Sequence, residues 1–352
     1  MTSLAAPPRL HSSARVEDRA HAVIEGVLRR RGWRPRIVPY AGYGTDGWVR
    51  VIGRVLLTPP GTRRRDVEGG RGWRRFLCSP SAGVLVTVNI GDRCQEVTST
   101  RGGYVDVRLD ADLPPGWATA VLSADGSPDA EAPLRIVGPE ARLGVVSDID
   151  DTVMITALPR PLLAFWNTFV RREALRRPVP GMADLYRELV SYDSDPLVVY
   201  LSTGPWNVAP AIEGFLRRLG FPRGPLLMTD WGPTADGWFR SGRDHKRTQL
   251  RRLLAELPQL SWLLVGDDGQ HDPDLYDEAA AAAPGRVRAV IIRQLSATEQ
   301  VLTHGTPEPL SERPGAAPRP EPCVEQIRAP DGYDLLAAVR AHGRLQTVPD
   351  GC

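Results

Sequence analysis

Asp148, Asp150, Asp151 and Thr152 fall within five consecutive residues, directly after the apolar run Gly144-Val145-Val146. The segment reads as a short buried strand that ends by delivering three carboxylates and a hydroxyl into one loop. Acids this close repel one another unless something neutralises them. A divalent cation in a phosphate-handling site would account for the cluster. The bland alternative is a polar, Asp-containing turn after a strand.

Three further segments end in the same kind of chemistry. Val198-Val199-Tyr200-Leu201 runs into Ser202-Thr203-Gly204-Pro205-Trp206-Asn207. Hydroxyls before a glycine at a strand-to-helix turn suit a phosphate oxygen, helped by the amides of the next helix, and they equally suit a plain N-cap. Leu264-Val265 leads into Gly266-Asp267-Asp268-Gly269-Gln270-His271-Asp272, a second buried run ending in carboxylates, or else an Asp/Gly turn. Between them Lys246 opens a helical stretch after Asp244-His245. Of 44 lysine and arginine residues, Lys246 is the one lysine. A compact ammonium and a planar guanidinium are not interchangeable at a tight site, so the lone lysine is consistent with a place that arginine does not serve.

The elements that must position these residues follow from the periodicity. Residues 1–34 form a polar lead and a helix over Val16–Arg30, with Ala20, Val23, Ile24, Val27 and Leu28 at helical spacing. Residues 35–138 alternate short Val- and aromatic-rich runs with Gly, Pro and Asp turns: Trp48–Leu57, Val84–Ile90, Tyr104–Leu109, Trp117–Leu122 and Pro133–Val137. That pattern predicts an antiparallel β-sandwich domain, with no acid pair or His or Cys cluster to give it chemistry.

Residues 139–304 change period. Buried runs Leu143–Val146, Leu197–Leu201, Leu226–Met228, Trp262–Val265 and Val287–Ile292 alternate with helical stretches Met182–Val190, Asn207–Leu219, Lys246–Leu257 and Pro273–Ala283. Strands alternating with helices predict a Rossmann-like parallel α/β sheet, whose active sites lie beyond the carboxyl ends of the strands. Residues 305–352 read as a Pro-rich linker, dense in Pro, Glu, Gly and Arg, and a C-terminal helix near Tyr333–His342.

Composition narrows the class. With 352 residues, 42% apolar, 24% charged and a net charge of +2, the chain is an ordinary globular one. The near-neutral balance argues against a nucleic-acid partner. Four cysteines without metal-ligand spacing suit a reducing compartment and predict a cytoplasmic location. No signal peptide and no transmembrane segment are expected, which restricts any membrane contact to the periphery.

Carboxylates on one strand, a hydroxyl on the next, a lysine and then Gly-Asp-Asp, in that order, resemble the haloacid dehalogenase superfamily. The closer resemblance is to the actin-patch type of phosphatidate phosphatase, related at its core motifs to the lipins. It is carried by Ser147-Asp148-Ile149-Asp150-Asp151-Thr152, Arg177-Pro178-Val179-Pro180-Gly181-Met182, Tyr200-Leu201-Ser202-Thr203-Gly204-Pro205-Trp206-Asn207, His245-Lys246 and Gly266-Asp267-Asp268-Gly269-Gln270-His271-Asp272-Pro273. Pro39-Tyr40-Ala41-Gly42-Tyr43-Gly44-Thr45, ahead of Gly53-Arg54-Val55, resembles the upstream region of that family.

The resemblance implies a phosphomonoester hydrolase working through an aspartyl-phosphate. Asp148 would be the nucleophile and Asp150 the acid and base. Ser202 would hold a phosphoryl oxygen, and Lys246 would balance charge on the nucleophile and the transferring group. It further implies Mg²⁺, held by the Asp148 carboxylate, the Asp150 carbonyl and Asp267, with Asp272 supporting the site or replacing Asp267. Thr152 would brace the loop, and Asp151 has no assigned role.

The implied substrate is phosphatidate. A soluble sugar, nucleotide or protein phosphate is the alternative, and a silent scaffold a third reading that would not need every one of these groups. Pro161–Arg177 places Leu162, Trp166, Phe169 and Val170 on one helical face with arginines near its end. It suits either a cap helix packed on the core or a segment resting on an anionic membrane.

Overall fold

The apolar runs after residue 140 become a parallel sheet buried on both faces, which is why they read as continuous rather than alternating. The computed structural model describes residues 23–62, 78–155, 177–229, 242–307 and 324–343. The Pro161–Arg177 helix thus lies outside the described residues except for Arg177, as do the start of the Val16–Arg30 helix and most of the Pro-rich stretch.

After helix α1 (residues 23–30) come β1 (Arg34–Thr45), β2 (Trp48–Thr58), β3 (Ser79–Pro80), β4 (Leu85–Ile90), β5 (Arg93–Thr98), β6 (Tyr104–Asp110), β7 (Gly116–Ala124) and β8 (Ser127–Val137). These strands are hydrogen-bonded into one eight-stranded sheet, with β3-β2-β1-β8-β7-β4-β5 in order and β6 on β2. Its pairings are antiparallel except for β1 and β8, which run parallel from Gly42 opposite Leu134 to Thr45 opposite Val137. Instead of two stacked sheets, a single curled sheet encloses a core of Val49, Val51, Val55, Val86, Val88, Leu122 and Leu134.

The chain then enters β9 (Leu143–Ser147), followed by a short antiparallel ladder of β10 (Met154–Ile155) and β11 (Arg177–Pro178), then helix α2 (Met182–Val190). Next come β12 (Leu197–Pro205), a 3-10 turn at Trp206–Val208, α3 (Ala209–Arg218), β13 (Leu226–Thr229), α4 (Gly242–Glu256) and β14 (Ser261–Asp267). The last described elements are α5 (Asp272–Ala282), β15 (Val287–Arg293), α6 (Ala297–His304), β16 (Gln326–Ala329) and α7 (Gly332–Ala341).

The parallel sheet has the order β13-β12-β9-β14-β15-β16. β9 is central and its five residues are buried. From β9 the chain goes first to β12 on one side and later to β14 on the other. The carboxyl end of β9 is thus the topological switch point, where a crevice opens between strands.

The helices cover this sheet with apolar stripes. α2 buries Met182, Leu185, Tyr186 and Leu189, an i, i+3, i+4, i+7 set. The C-terminal segment expected as linker and helix adds an edge strand, β16, paired to β15 from Val290 opposite Gln326 to Arg293 opposite Ala329. It also places α7 on α2. There Gly332 donates its N–H to the Pro180 carbonyl at 2.9 Å, and a Cβ on Gly332 would stand 2.2 Å from backbone atoms of Gly181 and Met182. Only glycine permits that approach.

Part of the antiparallel sheet also joins the core of the parallel one. Tyr40, Tyr43, Ile52 and Leu56 of the antiparallel sheet pack in the same cluster as Val145, Trp206 and Leu253. Polar ties reinforce the contact at the end of α4. Tyr43 Oη donates to Glu256 Oε2 at 2.7 Å, and the Arg50 guanidinium pairs with the same carboxylate.

Candidate active site

Each strand end delivers one component. The β9 backbone continues its ladder one residue past the strand, with Asp148 N–H donating to the Val265 carbonyl at 2.9 Å. This fixes Asp148 between β12 and β14. Asp267 is the last residue of β14, and Asp272 begins α5 after a turn. Gly266 lies directly beneath: a Cβ there would sit 2.7 Å from Asp272 Oδ2 and 2.8 Å from the Tyr276 ring. The absence of a side chain lets Asp272 fold back over the strand.

Asp148, Asp267 and Asp272 are buried with ligand oxygens all within 4.8 Å of one another. Lys246, in the second turn of α4, projects its ammonium into this cluster, with Nζ 2.7 Å from Asp148 Oδ1 and 2.5 Å from Asp272 Oδ1. Thr152 Oγ1 lies 3.4 Å from both Asp148 Oδ2 and Asp267 Oδ2. Ser202, inside β12, receives the Gly204 N–H on Oγ at 2.9 Å and donates to Asp150 Oδ2 at 3.3 Å. The residues singled out from sequence are therefore brought together: Asp148, Lys246, Asp267 and Asp272 in one cluster, with Asp150 and Ser202 paired beside it.

The electrostatics follow from burying several acids around one cation. Burial pushes the Asp148 carboxyl above the ordinary carboxylate range against the pull of Lys246, and Asp272 and Asp150 add to the push. Asp267 is raised by burial, then by Asp272, Asp148 and Asp151. Burial alone would lower Lys246, but Asp148 and Asp272 reverse this and hold it charged.

The site is short of positive charge. Asp272 Oδ2 is buried without a hydrogen-bond partner. An orphaned carboxylate oxygen within an all-oxygen donor set fits a hard divalent cation such as Mg²⁺, which would be held by Asp148, Asp267 and Asp272.

Several residues around the site carry no signal as isolated letters. Ser147 Oγ and Tyr186 Oη share a short buried hydrogen bond behind Asp148, and Tyr276 Oη donates to the Val265 carbonyl at 2.9 Å. Asp268, adjacent to Asp267, points away and accepts from Leu295 N at 2.8 Å and from Gln300 Nε2 at 2.8 Å. It braces the turn, whereas Asp267 joins the cluster.

Residues 143–294 match the family model for the catalytic domain of phosphatidate phosphatase APP1. Phosphatidate phosphatase APP1 of Saccharomyces cerevisiae is 23% identical over 226 residues, covering 61% of this chain and 38% of that protein. An uncharacterised protein of Schizosaccharomyces pombe is 22% identical over 193 residues, covering 53% and 32%. The matched region thus spans well under half the length of these relatives. A solved structure of a HAD-like phosphatase from Mesorhizobium loti is 13% identical and covers 67% of this chain and 97% of that one, with a TM-score of 0.37. The family match covers the strands and helices that carry the core motifs of the resemblance, and the upstream segment Pro39–Thr45 lies outside it.

Proposed function

We propose that this chain, whose residues 143–294 match that catalytic domain, is a Mg²⁺-dependent phosphatase that hydrolyses a phosphomonoester through an aspartyl-phosphate on Asp148. Phosphatidate, yielding diacylglycerol, is the favoured substrate. One observation carries the reading: Lys246 Nζ bridges Asp148 and Asp272 inside a buried acid cluster that retains an orphaned carboxylate oxygen.

An Asp148 oxygen attacks phosphorus while the bond to the ester oxygen breaks. Asp150 gives its proton to the departing oxygen and later takes one from the water that opens the acyl-phosphate. Ser202, already beside Asp150, turns its hydroxyl to a phosphoryl oxygen. Lys246 offsets the charge that builds on the nucleophile and the transferring group. Mg²⁺, when held by the carboxylates, supplies further neutralisation of that charge.

The substrate assignment rests on the family match and on the name of the yeast relative. A cytoplasmic setting with peripheral approach to a lipid surface goes with it, supported by the sparse cysteines. Among the described residues no helix is long and apolar enough to cross a membrane.

The test is a phosphate-release screen with Mg²⁺, comparing phosphatidate vesicles with a panel of soluble esters. Release from vesicles in excess of every soluble ester is the expected result. Release from soluble esters alone would move the substrate to that class, and no release from any would sink the reading.

A further inference from the structure

Arg293 ends β15 where the apolar run Ala289–Ile292 stops, and it is buried. Its guanidinium donates in three directions: Nη1 to the Asp151 carbonyl at 2.7 Å, Nε to the Pro330 carbonyl at 3.1 Å, and Nη2 to Glu299 Oε1 at 2.6 Å. Asp151 is, among the described residues, the one non-glycine with a positive φ, 59°. The left-handed region costs an L-residue free energy, so such a turn persists when its surroundings over-determine it.

That turn has consequences on both sides. Its preceding neighbour, Asp150, meets Ser202, and its following neighbour, Thr152, reaches Asp148 and Asp267. The backbone twist at 151 therefore sets where Asp150 and Thr152 point. Arg293 is also the register partner of Asp267 across β14 and β15, so the anchor stands on the strand next to the acid cluster. Thr303 of α6 adds a weaker tie, its Oγ1 donating to Asp151 Oδ2 at 3.4 Å. Glu299, Thr303 and Pro330 all lie beyond residue 294, where the family match ends.

We propose that Arg293 is a positioning residue of the acidic loop. By anchoring the Asp151 carbonyl it holds the left-handed turn that sets Asp150 against Ser202 and Thr152 against Asp148 and Asp267, and it sets turnover rather than substrate affinity. The kinetic part rests on the phosphatase reading above; the conformational part does not.

The test compares Arg293→Lys with the parent chain, alone and in an Asp151→Gly background. Lysine keeps a cation against Glu299 but cannot span all three acceptors. With Mg²⁺ and a small aryl phosphate, kcat falls by about 30- to 100-fold, the scale of a slightly misplaced catalytic group, with KM within about threefold. Amide exchange in the segment 148–155 becomes at least about tenfold faster, because its protecting bonds open more often. Glycine adopts left-handed φ without penalty, so in the Asp151→Gly background the further loss on Arg293→Lys shrinks to under about threefold.

Equal losses in both backgrounds, a loss residing in KM, or unchanged exchange at 148–155 would overturn the proposal. If the parent chain releases no phosphate from any ester, the phosphatase reading fails and exchange alone decides the anchor. Arg293→Gln, read the same way, stands in should the lysine variant fail to fold.

Discussion

Lys246 Nζ lies within hydrogen-bond distance of carboxylates from two different elements, Asp148 at 2.7 Å and Asp272 at 2.5 Å, and is itself 3% exposed. One ammonium thus holds the loop after β9 against the start of α5.

Lys246→Arg is expected to lower kcat by about a hundredfold, the loss typical of removing one preorganised charge-stabilising donor. Steady-state phosphate release measures it. Parent-like turnover would mean that the compact ammonium is not required.

Asp148→Asn is expected to abolish phosphate release while leaving the metal-free melting temperature unchanged or higher. Burial disfavours the Asp148 charge, so a neutral isostere removes a cost, and Lys246 keeps Asp272 as its partner. Calorimetry beside the release assay checks both halves. A collapsed melting transition would assign Asp148 to the fold instead.

Mg²⁺ at about a hundred times its Kd is expected to stabilise the chain by about 2.7 kcal/mol, and Asp267→Asn or Asp272→Asn to remove most of that gain. The pH dependence has a definite sign. Asp148 and Asp267 are raised by burial in the metal-free site, so the folded form keeps protons that the unfolded form has lost. Metal-free stability therefore falls as pH rises from about 4 toward neutrality, where unfolded carboxylates are already ionised. Saturating Mg²⁺ takes the place of those protons and flattens the fall. Melts at several pH values with chelator and with Mg²⁺ test this; a metal-free protein that gains stability across the same range would contradict it.

Gly266→Ala is expected to cost metal binding before it costs folding. The added methyl would meet Asp272 Oδ2 and the Tyr276 ring, pushing the carboxylate out of the cluster. Calorimetric titration should show Mg²⁺ affinity reduced by about tenfold or more, the scale seen when groups supporting a metal ligand are disturbed. Undiminished affinity would remove Asp272 from the proposed metal set.

Tyr43→Phe is expected to destabilise the chain by about 1–2 kcal/mol, because it deletes a hydrogen bond to a charged, largely buried Glu256. Turnover should stay within about threefold, since Arg50 still pairs with that carboxylate. Denaturant titration gives the first number and the release assay the second.

The acid cluster was legible in sequence because strand ends in a parallel sheet are where polar residues interrupt apolar runs, and Asp148, Ser202 and Asp267 each do so. Arg293 does the same, but among so many arginines its position gave no contrast. The end of Val287–Ile292 carries the same kind of signal as the end of Leu264–Val265, a charged residue closing a buried strand.

Other elements lack a clear local pattern for physical reasons. β1 contains Pro35, Pro39, Gly42 and Gly44, which read as turn residues, yet Pro35, Pro39 and Gly44 pair in register with Leu57, Gly53 and Val49, and the ladder shifts between Tyr40 and Tyr43. β5 is exposed along nearly all its length and so lacks alternation. α6 did carry a signal, a capping box in which Ser296 and Glu299 exchange hydrogen bonds, but its short length and mixed face obscured it. β16 is four residues joined to the sheet across a long sequence gap, a pairing that no local pattern announces.

The scarcity of lysine gives the molecule a reporter of its own. An amine-reactive reagent meets one lysine side chain in all 352 residues, and that side chain is enclosed by the candidate site. Each ε-acylated molecule therefore records one opening of the acid cluster. The rate at which the label accumulates on the peptide that carries Lys246, kept apart from the α-amine label, with and without a bound cation or phosphate ester, clocks the breathing of the site in the unmutated protein, whether or not its substrate is in hand.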